Sequence, residues 1–179
     1  GLVGNQVLIL VDGVRLNNAT YRLGPNQYLN TIDPATIERI EVVRGNGAVL
    51  YGTDAMGGVV HVITRTPTPR GGGWYVDARS VVKGATGTPE QSARVELEGG
   101  YGSFAWSGGV SVRAFGDLRA SGDLGVRAPS AYDEADLDLK GQWAPGPGRR
   151  LTVSLQQTRQ ENVGRFDQVA QRGFASWAF

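Results

Sequence analysis

The stretch Arg44–Arg65, RGNGAVLYGTDAMGGVVHVITR, sets Gly-x-Gly, Tyr-Gly and Gly-Gly ahead of a run as β-prone as VVHVIT. Glycines before a strand first suggest a phosphate cradle. The segment lacks the Lys-Ser/Thr of a P-loop and the G-x-G-x-x-G spacing of a dinucleotide site, so it supports neither. Glycines at 45, 47, 52, 57 and 58 instead allow tight backbone turns and close packing against a wall that a Cβ would strike. The GVVHVITR run then reads as a strand covered on both faces.

Upstream, Val7–Leu16 (VLILVDGVRL) reads as two short strands around Asp12-Gly13, a preferred type I′ pair. Asn17–Asn30 is polar, contains Gly24-Pro25 and reads as an exposed loop. Asp33 followed by Pro34 pairs an N-cap with a first helical position, which predicts one or two helical turns over PATIER, residues 34–39. IERIEVVRG runs into a strand whose apolar side is Ile37, Ile40 and Val42. The first third is thus a compact α+β unit.

A chain of 179 residues with 40% apolar residues would suit one domain by length. Net charge is +1, so no global field points to nucleic acid, and the absence of Cys excludes disulfides and thiolate metal sites. No apolar run is long enough for a membrane-spanning helix, a test that alternating membrane strands escape. The chain changes character at Thr64–Gly73 (TRTPTPRGGG), and all four Trp residues (74, 106, 143 and 177) lie beyond it.

Downstream, apolar and polar residues alternate. Trp74, Val76, Ala78 and Val82 oppose Tyr75, Asp77, Arg79 and Lys83, and Val95 and Leu97 oppose Arg94, Glu96 and Glu98. Val110 and Val112 oppose Ser111 and Arg113, Leu137 and Leu139 oppose Asp136 and Asp138, and Val153 and Leu155 oppose Ser154 and Gln156. A further strand starts near Gly173. Runs of about 9 to 11 residues suit tilted membrane strands. The period alone fits a soluble sandwich equally well. Connections alternate between long (84–92, 116–133, 161–172) and tight (Gly102-Ser103, APGPGR), and Trp74, Tyr101, Phe104, Trp106, Trp143 and Trp177 gather at the tight-turn ends. Both features favour an outer-membrane barrel with an aromatic girdle.

The segments VLILVDGVRLN and IDPATIERIEVVRGNGAVLYGTDAMGGVVHVITR, followed by this pattern, resemble TonB-dependent outer-membrane receptors. The motif residues are Asp12, Gly13, Glu38, Arg39, Glu41, Arg44, Gly45, Tyr51, Gly52, Gly57 and Gly58. Asn46-Gly47 departs from the usual Pro and small residue after Arg-Gly. The resemblance implies an α+β plug domain followed by antiparallel strands of a plugged barrel of about 22 strands. It divides the chain into residues 1–66 (the later part of a plug), a linker at 67–73, and barrel strands over 74–179, with the rest of plug and barrel lying outside these ends. It also implies a Gram-negative outer membrane and contact with its lipid. The expected partners are TonB with its inner-membrane energising proteins and a small-molecule ligand such as a ferric siderophore or cobalamin. Tyr21, Arg22, Asn26, Gln27 and Tyr28 are the candidates for the plug's ligand-facing apex, with packing of their segment against the lumen wall as the competing reading. Glu38, Arg39, Glu41 and Arg44 are expected to face lumen charges such as Arg79, Arg94, Glu96, Asp136 and Asp138.

Other chemistry is weaker. His61, between Val60 and Val62 and without a second His, reads as structural. Asp133, Glu134, Asp136 and Asp138 read as a polar strand face, with a hard-cation site as the alternative. No Ser-His-Asp or Cys-His arrangement is recognisable, so no enzyme, cofactor or metal is assigned. Besides energised transport, a non-energised outer-membrane binding or adhesion barrel and a soluble β-rich enzyme are the competing readings.

Overall fold

In a computed structural model, the structure describes residues 7–16, 28–45, 47, 51–52, 55–86, 89–120 and 125–164. The chain forms two compact units, Gly1–Arg65 and Thr66–Phe179.

The first unit is a four-stranded sheet built from β1 (Val7–Val11), β2 (Val14–Arg15), β3 (Ile37–Arg44) and β4 (Gly58–Thr64), in the order β2-β1-β4-β3. β1 and β2 form the hairpin read from Asp-Gly, with Asp12 and Gly13 both at positive φ (49° and 84°) as a type I′ turn requires. β4 lies between β1, to which it is parallel, and β3, to which it is antiparallel. That central position explains its unbroken apolar run. Leu8, Leu10, Ala55 and Val59 form the core cluster.

The helix expected over PATIER is shorter than its signals suggest. Asp33 does cap it, its Oδ1 accepting the Ala35 N–H at 2.9 Å, but the 3₁₀ turn ends at Thr36. Ile37, Glu38 and Arg39 already belong to β3. A helix this short has little stability of its own, whereas the β-branched run gains a ladder against β4 that is interrupted only at Glu38. The register slips by one residue between Ile37 and Arg39. This bulge brings Ile37 onto the same face as Ile40 and Val42, a spacing that simple alternation forbids.

The second unit is an antiparallel meander of β5 (Tyr75–Ala85), β6 (Glu90–Tyr101), β7 (Phe104–Phe115), β10 (Tyr132–Gly146) and β11 (Arg149–Glu161). The strands run from 11 to 15 residues, longer than the 9 to 11 read from the pattern, and so shorten the connections. The expected long loop at 116–133 gives up its last two residues to β10, which starts at Tyr132. It carries a small hairpin of β8 (Leu118–Arg119) and β9 (Val126–Arg127). Asp117 closes its base by accepting the N–H groups of Ser130 (2.7 Å) and Ala131 (3.0 Å). The further strand near Gly173, and Trp177, lie outside the described residues.

One face of this sheet is apolar and open to its surroundings. Val76, Leu97, Val110, Leu139 and Val153 are all exposed. At its tight-turn end the register lines up Tyr101, Phe104, Trp143 and Leu151, and Trp74 stacks on Tyr101 at 5.0 Å. Trp74, Tyr101, Phe104 and Trp143 thus form a continuous aromatic row on the apolar face.

Candidate functional site

In the first unit the Asp12-Gly13 turn is anchored on β4. The Thr64 N–H and Oγ1 donate to the Asp12 carboxylate at 2.8 and 2.6 Å, and the Gly13 N–H donates to His61 Nε2 at 3.0 Å. His61 is thereby fixed as a hydrogen-bond acceptor for the hairpin, in keeping with a structural role. Asp12 is a fastener of the turn rather than only a turn-former, a role composition cannot reveal.

Arg39 is held by its own strand's neighbours, with Nη1 to Glu38 at 2.7 Å and Nε to Glu41 at 2.9 Å. The Glu41 hydrogen bond, with the charge of Glu38 added, raises the guanidinium above its ordinary pKa. Arg44 closes β3 and Gly45 turns the chain at φ 92°. Tyr51 donates its N–H to the Gly47 carbonyl at 3.0 Å, and Gly52 accepts from Ala55 N–H at 3.1 Å. Gly57 occupies the bend before β4.

The glycines answer to closer neighbours than an outer wall. A Cβ on Gly58 (φ 140°) would lie 2.6 Å from the Val43 carbonyl oxygen, and one on Gly47 would lie 3.1 Å from Val59. Both contacts are inside this unit; that at Gly58, against backbone and at positive φ, demands glycine, whereas that at Gly47 is a close fit against a side chain. Tyr21, Arg22, Asn26 and Gln27 lie outside the described residues; Tyr28 opens a 3₁₀ turn, Tyr28–Thr31.

The second unit's polar face is a connected network. Arg94 bonds Glu96 at 2.8 Å, Asp138 at 2.7 Å and Ser111 at 3.1 Å. Its guanidinium lies over Gly109, where a Cβ would overlap it. Arg113 bridges Glu134 at 3.0 Å and Asp136 at 2.5 Å. Thr158 and Gln160 donate to the remaining oxygens of Asp136 and Glu134. Each guanidinium fork thus serves two carboxylates, which lets Arg94, Glu134 and Asp136 be buried.

Several of these charges find partners within their own unit. Arg39 pairs within β3, and Arg94, Glu96, Asp136 and Asp138 pair within the sheet. The acidic run, read alternatively as a hard-cation site, is engaged with other partners. Glu134, Asp136 and Asp138 are committed to arginines, Asp133 accepts from Asn162, and no metal-holding group occurs among the described residues. Alternation placed Arg113 on this face but could not reveal it as a hub, because hubs depend on strand register.

A plug-like sheet thus precedes, in one chain, a sheet with one apolar and one charge-paired face. Residues 1–59 match the family described as TonB-dependent Receptor Plug Domain. The chain carries a TonB-dependent receptor plug domain over residues 1–59. A stretch of 64 residues is 50% identical to the vitamin B12 transporter BtuB of Vibrio vulnificus, covering 36% of this chain and 10% of that protein. Over 92% of the chain, identity is 38% to the iron-regulated outer membrane virulence protein of Vibrio cholerae, of which 26% is covered. The matched stretches therefore cover between a tenth and about a quarter of the length of these relatives.

The siderophore receptor PirA of Pseudomonas aeruginosa superposes with a TM-score of 0.59 at 26% identity, over 89% of this chain and 27% of that one. The copper transporter OprC gives 0.70 at 18% identity, over 90% and 24%, and shows the fold alone. The proteins to which the chain is similar are thus receptors and transporters.

Proposed function

We propose that this chain serves in an outer-membrane receptor of a Gram-negative bacterium that takes up a scarce ligand, a ferric siderophore or cobalamin, with energy supplied through TonB. The carrying observation is the pairing of a plug unit with a sheet whose apolar face is exposed and whose charges are paired on the other face. The first face suits lipid and the second suits a hydrated lumen. In this reading residues 1–66 gate the barrel, residues 74–179 supply wall strands, and Tyr21, Arg22, Asn26, Gln27 and Tyr28 meet the ligand. The named cargoes of relatives, vitamin B12 and siderophores, supply the ligand class.

The test is uptake of labelled cobalamin and ferric siderophores by source cells with and without the receptor, and with and without an uncoupler. Uptake that requires the receptor and stops with the uncoupler supports the proposal. Uptake that survives the uncoupler means a passive binding barrel.

A further inference from the structure

The segment 67–73, read as a linker, is fastened together with Thr66 along the polar face of the second unit. Arg70 Nη2 meets Asp77 at 2.6 Å and Glu98 at 3.6 Å, and its guanidinium lies 4.1 Å from the centroid of the Tyr75 ring. The Tyr75 hydroxyl donates to the Thr68 carbonyl at 3.1 Å, and Lys140 Nζ reaches Thr66 Oγ1 at 3.4 Å. The Gly102 N–H donates to the Gly72 carbonyl at 3.2 Å.

Composition favours the same arrangement. Pro67 and Pro69 fix φ at alternate positions and bias the residues before them to extended backbone, so the segment before Arg70 is a stiff arm. Gly71 and Gly72 then reverse the chain at φ 69° and 80°, a conformation that costs glycine nothing. Each exposed ion pair alone would be worth little. Contacts at four positions, Thr66, Thr68, Arg70 and Gly72, on a segment with few conformations to lose act together, because each lowers the entropy cost of the next.

We infer that Thr66–Gly73 is a fixed strap of the β-sheet unit, with Arg70 as the positioning residue that clamps it, so that gating movement takes place upstream of Thr66. The functional half of this rests on the transport reading above; the structural half does not.

The experiment uses the intact receptor in outer membranes and two readouts. Thr68, whose side chain is exposed, is replaced by Cys and carries a nitroxide label. An immobilised spectrum is expected in the otherwise native receptor, with loss of that component in Arg70→Gln and partial retention in Arg70→Lys. A mobile spectrum in the native background, or one indifferent to Arg70→Gln, overturns the strap whatever the receptor transports.

For the second readout, Cys replaces Arg70 and Asp77, and a short reducible bifunctional reagent joins them. The joined receptor is expected to take up ligand at the native rate. Uptake blocked by joining and restored by reduction would show that the strap must move, and overturns its role as a fixed point. Absence of energised uptake in the native receptor instead sinks the transport reading and leaves the label result standing.

Discussion

Asp12 shows how one side chain can serve two demands. Its φ of 49° is unfavourable for most residues but tolerated by Asp and Asn, and its carboxylate takes two hydrogen bonds from the buried Thr64. Asp12→Ala is expected to lose about 1–2 kcal/mol of local stability, and Asp12→Asn less, since it keeps the backbone preference and one acceptor. Hydrogen exchange at the Thr64 amide would register both, and equal protection in the two variants would refute the fastening role. Gly109 is the counterpart in the second unit, because its missing Cβ is the space that the Arg94 guanidinium fills. Gly109→Ala is expected to displace Arg94 from Glu96 and Asp138 and to cost about 1–3 kcal/mol. Gly→Ala on an open strand usually stabilises, so an unchanged denaturation midpoint would contradict this packing.

β3 illustrates how an irregularity preserves a pattern. Glu38 is the extra residue of the bulge, and its carboxylate is engaged with exposed Arg39. Deleting Glu38 should leave a regular ladder with Ile37 and Ile40 on their present face, so the first unit should fold at a cost below about 1 kcal/mol. Deleting Val43 should instead reverse the facing of the residues beyond it and abolish folding of that unit. Comparison of the two deletions by protease resistance checks the register, and equal sensitivity would sink it. The same strand explains why the capping signals overshot. Asp33 and Pro34 start a helix locally, but the ladder with β4 claims every residue from Ile37 onward.

The apolar face of the second unit gives the molecule its environment. Val110 is 52% exposed in the middle of that face, so a charge there costs little if water is its surroundings. Against lipid, Val110→Lys should cost about 2–4 kcal/mol near mid-bilayer and lower the amount of receptor assembled in the outer membrane. Ser107→Lys, on the polar face, should be milder. Gel mobility before and after heating, together with fractionation, separates the cases, and normal assembly of the Val110 variant would count against a membrane sheet.

The Asp12-Gly13 hairpin, the central VVHVIT strand, the alternating strands and the plug motif were all legible in order and spacing. Each is set by neighbours in the chain: a turn's φ signs, a strand's period of two, a glycine where no side chain fits. The paired charges and the strap were not legible. Arg94 meets Asp138, Arg113 meets Glu134 and Arg70 meets Glu98 only after strand register brings residues from different strands into adjacent rows. Local pattern assigns a residue to a face, but the partner it finds there depends on how separate strands align. That alignment is a property of the packed sheet, because the sheet-wide hydrogen-bond ladder and the buried charges must be satisfied together.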